Sequence, residues 1–551
     1  MKVIIIGGVA GGATAAARLR RLDEKAEIVL FERGEYISYA NCGLPYYIGD
    51  KITDSEELTL QTPESFNSRF NVDVRVQNEV LAINRAKKTV IVQDLKIGKQ
   101  YEESYDFLIL SPGAAPVKPP IQGVDSERVF TLRNIPDTFA IKDFINRKKP
   151  QTAVVVGGGF IGIEMAENLY AAGLKVTIVE MTNQLLAPLD YDMACAVHRH
   201  VRSKGVGLLL GNAVQTITDT GQTLKITLND SQIEADMLLM SVGVKPESTL
   251  AQQAGLTLNE RGYIVTDEAM KTSDPSIYAV GDAVEITDFV SQSKNTVPLA
   301  GPANKQGRIA ADRICGIKSH YTGTQGSSVV QVFDMTVATT GLNEKTAKRF
   351  DVKYEKSFTV SGSHAGYFPG SFNMIIKTLF NPENGKITGV QIVGMKGVDK
   401  RCDVIATAIR FGATATDLTR LELCYAPPYS SAKDPVNMAG YVIENILTGK
   451  VKIFHWNDLK SLNKENVTLL DVRTPEEFSQ GSIPGFINIP LDSLRKRMSE
   501  LDPQKPVYIT CAVGLRGYIA SRILSQNGFE TCNLSGGYTV WNCIEQGSLA
   551  V

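Results

Sequence analysis

Short apolar runs alternate with longer stretches of helical periodicity through about residue 330. Val3–Ile6, Glu27–Phe31, Ala153–Val156 and Lys175–Val179 are runs of strand length, and the segments between them are long enough for helices. This alternation predicts doubly wound parallel α/β units. The first unit closes on the apolar run Tyr105–Leu110, which feeds the turn Ser111-Pro112-Gly113. The second closes on Ala235–Met240 and Ser241-Val242-Gly243. The two closing strands echo each other, a sign of internal duplication. A further apolar strand, Ile277-Tyr278-Ala279-Val280, ends in Gly281-Asp282. Beyond residue 327 the pattern changes to alternating strands such as Ser328–Phe333 and helical stretches such as Val398–Arg410. From His455 onward the chain reads as a separate small domain, with Leu447–Lys450 as the linker.

Two strand ends carry glycine turns. Gly157-Gly158-Gly159-Phe160-Ile161-Gly162 follows an apolar strand, opens a helix, and is followed by a strand ending in Glu180. This is the full G-x-G-x-x-G dinucleotide fingerprint in its required setting. The first Gly makes the turn, the second lets a pyrophosphate approach, and the third permits close helix–strand packing. A weaker copy opens the chain. Gly7-Gly8-Val9-Ala10-Gly11-Gly12 follows Val3–Ile6, and the next strand ends at Glu32, but Val9 holds the middle glycine position. Two such turns in one chain predict two dinucleotides exchanging electrons. Glu180 favours NADH over NADPH, because a carboxylate there accepts bonds from a ribose 2′-hydroxyl and repels a 2′-phosphate.

Composition narrows the classes. With 551 residues, 43% of them hydrophobic, the chain predicts several globular domains. Its 58 basic and 59 acidic residues leave a net charge of −1, no footprint for nucleic acid or an anionic membrane. No apolar stretch reaches the length of a membrane span, and the chain opens on a strand rather than a signal peptide, so a cytoplasmic protein is expected. The eight Cys are scattered, without C-x-x-C and without metal-type spacing to the five His, so neither a disulfide framework nor a metal site is expected.

Four marks together resemble the two-dinucleotide flavoprotein disulfide reductases over about residues 1–445: the first glycine turn with Glu32, Ser111-Pro112-Gly113, the full fingerprint, and Tyr278–Asp282. The resemblance implies two Rossmann-like dinucleotide-binding domains, FAD at 1–115 and 247–326 and NAD(P)H at 116–246, followed by an α+β dimerisation domain at 327–450. It assigns FAD to Gly7, Gly12, Glu32, Arg33, Ser111, Gly113, Asp282 and Ala300. It assigns the nicotinamide cofactor to Gly157, Gly159, Gly162, Glu180 and Gly243. It also implies a homodimer.

Dithiol members carry C-x-x-x-x-C near the flavin. Here Ser38-Tyr39-Ala40-Asn41-Cys42-Gly43-Leu44-Pro45-Tyr46 holds one Cys, which resembles the single-cysteine branch of NADH oxidases, NADH peroxidases and coenzyme A-disulfide reductases. A lone thiol has no internal partner, so Cys42 must cycle through thiolate, mixed disulfide, persulfide or sulfenate. Oxidases and peroxidases place a His in the first glycine turn, where this chain has Ala10; Gly7–Thr14 matches the coenzyme A-disulfide reductase pattern. By that resemblance Tyr367 and Tyr425 lie over the active cysteine of the partner subunit. Thr14, Arg18, Arg21, Ser38, Asn41 and Lys433 meet the substrate, the arginines through coenzyme A phosphates. Phe70 departs from the pattern, standing where a basic residue is expected.

In the C-terminal segment, Leu469–Val472 leads through Arg473 into a capped helix, and Val507–Thr510 leads into Cys511-Ala512-Val513-Gly514-Leu515-Arg516-Gly517 and a second helix. Loop N–H groups, a helix N-terminus and Arg516 around the sulfur argue for a low-pKa thiolate. The segment resembles the α/β rhodanese sulfurtransferases over 455–551, with Asp471-Val472-Arg473 and Leu534-Ser535-Gly536-Gly537 completing the likeness. Together the two resemblances imply a coenzyme A-disulfide reductase–rhodanese fusion that uses FAD and NADH. Its substrate is a persulfide, a polysulfide or coenzyme A disulfide, with coenzyme A as substrate or bound cofactor. The competing expectations are an NADH oxidase with a passenger domain and a docking protein without catalysis.

Overall fold

The computed structural model describes residues 1–548; the last three residues of the expected C-terminal domain lie outside them. The chain divides into two compact units, one of Met1–Thr182 with Leu209–Gly326 and one of Asn183–Leu208 with Ser327–Val551.

The first unit holds two five-stranded sheets built alike. In the first sheet the strands run Ile277–Ala279, Phe107–Leu110, Lys2–Ile6, Glu27–Glu32, Asp73–Val76, and every pairing is parallel. In the second they run Gly207–Leu210, Lys175–Glu180, Thr152–Val156, Met237–Met240, Val129–Phe130, with parallel pairing on both sides of the central strand. Each is accompanied by a three-stranded antiparallel sheet, Asn78–Asn84 with Thr89–Asp94 and Gln100–Ser104, and Thr216–Asp219 with Leu224–Thr227 and Gln232–Ala235. The duplication read from two closing strands therefore extends to whole sheets. The central strands are apolar on both faces because helices cover both: Val3, Ile4, Ile5, Leu108 and Ile109 have no exposed surface.

The second unit contains an antiparallel sheet in the order Ser328–Val332, Met335–Gly341, Ile387–Gly394, Asn373–Phe380, Glu355–Gly362. The helix Val398–Arg410 has the expected bounds. A separate parallel sheet follows in the order Lys452–Phe454, Thr531–Leu534, Val507–Thr510, Thr468–Asp471, Ile487–Asn488. Its edge strand Lys452–Phe454 begins just before the expected boundary at residue 455.

Residues 183–208, expected within the nicotinamide domain, cluster instead with this second unit. The reason is a buried charge centre. Lys377 on strand Asn373–Phe380 is fully buried, and its ammonium lies 2.7 Å from Asp192, 3.0 Å from Asp190 and 2.5 Å from Glu344. Burial alone would lower its pKa, but Asp192, Asp190 and Glu344 hold it above the ordinary lysine range. The three carboxylates are close enough together to suit a metal ion, and the lysine supplies the positive charge there. The indole Nε1–H of Trp456 donates to Asp192 at 3.4 Å, and Phe358 N–H donates to Ser535 Oγ at 2.9 Å, so the C-terminal domain is tied to the same sheet. Helix Gly537–Ser548 lies on helix Tyr191–Ser203, where Arg202 and His198 both bond the carbonyl of Gly547.

Lys377→Met removes the ammonium that pairs with Asp192 and leaves buried carboxylates uncompensated. We expect a loss of about 3–5 kcal/mol in urea unfolding. Glu344 gives the acid signature. Burial pushes its pKa up, but Lys377 and Lys356 outweigh that and hold it at about 2, against an ordinary 4.5. Its contribution to stability is therefore complete above pH 4.5 and drains away as the pH falls toward 2. In the lysine variant that dependence shrinks.

Candidate active site

The two glycine turns are built by the same close approach. Gly7 has φ +97°, and a Cβ there would collide with the carbonyl oxygen of Ser111; a Cβ on Gly12 would collide with the carbonyl of Gly7. The second turn repeats this with Gly157 at φ +106° against Ser241 and Gly162 against Gly157. Gly159, in contrast, faces open space, the side on which a pyrophosphate can approach. Each turn is braced by the carboxylate closing the second strand. Glu32 accepts from Gly8 N–H at 3.0 Å and Gly34 N–H at 2.9 Å. Glu180 accepts from Gly158 N–H at 2.7 Å and Thr182 N–H at 2.8 Å. Turn N–H groups and the N-termini of helices Ala10–Leu22 and Phe160–Ala171 form two anion-binding cradles, so the residues present fit two dinucleotides. The missing middle glycine at Val9 is tolerated because that residue has φ −101°, which a side chain can adopt.

The other flavin-side residues fall around the first turn. Ser111 donates its N–H to Ile6, Gly113 takes φ +74°, and Ala300 opens helix Ala300–Ile314. That helix crosses helix Ala10–Leu22 closely enough that a Cβ on Gly307 would strike the carbonyl of Gly11. Gly243 has φ +112° with open space beside it. Arg133, which the sequence did not single out, stands against Gly113, and its charge opposes the burial that raises the pKa of Asp282. Arg33 is held by Glu247 at 2.6 Å, so its guanidinium is already paired.

Cys42 lies in a 3-10 turn, Asn41–Gly43, that runs straight into helix Leu44–Ile48. It is exposed, yet enough protein surrounds it that desolvation pushes its thiol above the ordinary range, and the carboxylates of Glu164 and Asp282 push the same way. Asn41 beside it has a buried side-chain oxygen without a hydrogen-bond partner. Ser38 has φ +46° and is pinned by bonds to Gly8 and Leu60.

A cleft of about 370 Å³ gathers Thr14, Arg21 and Ser38 with Phe66, Arg69 and Phe70. Three of the expected substrate residues therefore share one cavity. Arg69 was missed; it stands next to Phe70, the position that lacked its expected base, and restores a cation to the cleft. Arg18 departs from expectation: its guanidinium is bound to Asp312 at 2.6 Å in a half-buried pair, because it lies on the side of its helix that meets Ala300–Ile314.

In the second unit, the hydroxyls of Tyr367 and Tyr425 are 2.8 Å apart and both rings are exposed. The segments that carry them are joined by the buried Arg401, which donates to Ser363 O at 3.1 Å, Ser430 Oγ at 3.0 Å and Asp434 at 2.9 Å. Lys433 is exposed nearby in sequence. In the parallel sheet, Cys511 directly follows strand Val507–Thr510 and receives the N–H of Gly514 on its sulfur at 3.1 Å. The residue is wholly buried, deeper than expected for a reactive thiol. Arg516 is not free to serve the sulfur alone: it forms a fork with Glu477, at 2.6 and 2.7 Å, that holds the Glu477 carboxyl near 2. Asp471 and Arg473, paired at 2.7 Å, anchor the loop Gly481–Ser482 through a bond from Arg473 to Gly481 O.

The geometry agrees with known families. Residues 1–307 match the profile of the pyridine nucleotide-disulphide oxidoreductases, residues 327–435 that family's dimerisation domain, and residues 457–543 the rhodanese-like domain. The chain belongs to the pyridine nucleotide-disulphide oxidoreductase family. FAD and NAD(P)H are the cofactors of this family. The chain is 36% identical to the coenzyme A disulfide reductase of Staphylococcus haemolyticus (strain JCSC1435) over 441 residues, 80% of this chain and 98% of that one. The reduced CoADR-RHD of Bacillus anthracis superposes with a TM-score of 0.97 at 50% identity, covering 100% of this chain and 99% of that one. A NAD-dependent persulfide reductase from A. fulgidus gives 0.92 at 37% identity, over 98% of this chain and 100% of that one.

Gly162→Ala tests the second cradle. The added methyl meets the Gly157 carbonyl, so we expect KM for NADH to rise at least about tenfold, about 1.4 kcal/mol, while the bound flavin, read by its absorbance, is retained.

Proposed function

We propose that this oxidoreductase is an NADH-driven reductase of sulfane sulfur or coenzyme A disulfide, with sulfur transfer at a second cysteine in the same chain. One observation carries the reading: an exposed thiol, Cys42, follows by four residues Ser38, whose N–H bonds Gly8 of the first dinucleotide turn, and a second thiol, Cys511, accepts a loop N–H in a rhodanese-like domain. FAD, when bound, passes the electron pair of the nicotinamide to sulfur. As thiolate, Cys42 attacks the outer sulfur of a persulfide R–S–SH, giving Cys42–S–SH and RS⁻; two electrons then release hydrosulfide and restore the thiolate. With coenzyme A disulfide, the same attack gives a mixed disulfide and one coenzyme A thiolate.

The remaining roles follow from placement. Gly7, Gly12, Glu32, Ser111, Gly113, Asp282 and Ala300 hold FAD, and Gly157, Gly159, Gly162, Glu180 and Gly243 hold NADH. Thr14, Arg21, Ser38 and the added Arg69 bind the nucleotide end of coenzyme A. Asn41 donates or accepts at the substrate beside Cys42. Tyr367 and Tyr425 act in a homodimer, offering a phenolic proton to the leaving thiolate at the partner's site. The eight unpaired cysteines fit the reducing cytoplasm; among the described residues no helix is long and apolar enough to cross a membrane.

The oxidase reading is weaker. The water-forming NADH oxidase of Lactobacillus brevis is 27% identical with a TM-score of 0.78, and it spans 82% of this chain. Ala10 stands where that chemistry places a histidine.

Anaerobic NADH oxidation with a small-thiol persulfide and with coenzyme A disulfide, side by side, tests the proposal. We expect the larger kcat/KM with the persulfide and hydrosulfide as product. Cys42→Ser should lower either rate by at least about 10³-fold, as removal of a nucleophile does; full activity in that variant would end the proposal. Cys511→Ser should slow only donors whose sulfur is delivered through the second domain. Glu180→Ala should raise kcat/KM for NADPH relative to NADH, checked by initial rates with both.

A further inference from the structure

Strand Glu355–Gly362 lies at the edge of the antiparallel sheet, and an edge strand leaves N–H groups without a partner in its own sheet. The C-terminal domain takes one of them: the buried N–H of Phe358 donates to Ser535 Oγ at 2.9 Å. Phe358 is itself held, its ring centroid 5.3 Å from the ammonium of Lys377. After Ser535 come Gly536 and Gly537, both at positive φ, +79° and +61°. They press on different neighbours. A Cβ on Gly536 would come within 2.9 Å of the Phe358 Cβ. One on Gly537 would come within 2.5 Å of the Cys511 carbonyl oxygen and 2.9 Å of that of Ala512. The turn therefore fills the space between the antiparallel sheet and the cysteine loop.

The residues after that turn fix the loop. Tyr538 N–H donates to the carbonyl of Cys511 at 2.8 Å, and Thr539 N–H donates to that of Ala512 at 2.9 Å. In a trans peptide the N–H points opposite to the C=O, so these two bonds also set the direction of the Ala512 and Val513 N–H groups. Asn533, two residues before Ser535, anchors the group that meets the sulfur. Its Nδ2 donates to the Gly514 carbonyl at 3.0 Å, and the Gly514 N–H reaches Cys511 Sγ at 3.1 Å.

We propose that Ser535 is a positioning residue for Cys511, through which the sheet of the dimerisation domain fixes the sulfur-carrying loop. The inference rests on Cys511 being the residue that carries the transferred sulfur. In the step it serves, the Cys511 thiolate attacks the outer sulfur of R–S–SH. A bond forms between the two sulfurs, the S–S bond of the donor breaks, and its electron pair leaves with RS⁻. An acceptor such as cyanide then takes the outer sulfur as thiocyanate and restores the thiolate, and the persulfide proton ends on RS⁻ as RSH. Donors fixed beforehand need no reorganisation when charge arrives on sulfur. Ser535 touches neither sulfur; it acts through the turn. Trp456 on Asp192, His455 on Glu355 at 3.1 Å, and Arg202 on the carbonyl of Gly547 also attach the C-terminal domain. Loss of the Ser535 bond thus loosens the turn without releasing the domain.

The test uses the full-length holoenzyme carrying Ser535→Ala. In hydrogen exchange read by mass spectrometry, the peptide covering residues 511–515 should exchange about fivefold faster, the equilibrium weight of one hydrogen bond, while strand Thr468–Asp471 is unchanged. Sulfur transfer from a small-thiol persulfide to cyanide is followed as thiocyanate, without NADH and in a Cys42→Ser background so that the first thiol is silent. There Ser535→Ala should lower kcat about fivefold and leave KM for the persulfide in place. With Cys42 intact, NADH oxidation by coenzyme A disulfide should keep its rate. A native value of either loop exchange or kcat overturns the proposal. So does faster exchange throughout the C-terminal domain, which would make Ser535 a general stability contact. Thiocyanate formation that survives Cys511→Ser in the same background would instead overturn Cys511 as the sulfur carrier, so the two failures are distinguishable.

Discussion

The close approach of a strand-end carbonyl to a turn glycine governs the first unit. Ser111 closes on Gly7 and Ser241 closes on Gly157, and in each case the backbone leaves no room for a Cβ. That contact lets the first helix of each unit begin directly over the sheet, so its free N–H groups point where phosphates arrive. The third glycines, Gly12 and Gly162, then let each helix lie against its own turn. Thr14 and Arg21, which line the cleft, are on the first of those helices, and Glu164 is on the second.

A different constraint orders the second unit. A lysine without solvent is stable only if carboxylates surround it, and Lys377 is met by three. They come from the segment before helix Tyr191–Ser203, from that helix itself, and from helix Glu344–Arg349. A pair assembled from such distant positions costs more to break than a surface bridge, because any vacancy leaves a buried charge. It draws residues 183–208 into the unit of the antiparallel sheet and, through Trp456, draws the C-terminal domain as well.

The two thiols have opposite surroundings. Cys42 is exposed, yet the protein around it and then the charges of Glu164 and Asp282 disfavour its thiolate. Cys511 is enclosed, with a backbone N–H directed at its sulfur and Arg516 nearby but forked onto Glu477. One sulfur is within reach of a small molecule from solvent, and the other is shielded from water.

The sequence by itself determined the strand–helix alternation, both glycine turns and the two acidic strand ends, because each is a local pattern: a period, a spacing, or a residue that only one backbone conformation accepts. It also revealed the family, through motifs lying within a few residues of one another. Tertiary structure alone decided which charges are free. Arg18, Arg33 and Arg516 look available as sequence, yet Asp312, Glu247 and Glu477 occupy them from 294, 214 and 39 residues away. It likewise decided that Arg69 fills the cleft beside Phe70, that Arg401 ties the tyrosine segments, and that Glu164 meets the hydroxyl of Tyr46. An electrostatic partner is chosen by distance in space, and sequence separation carries no record of it.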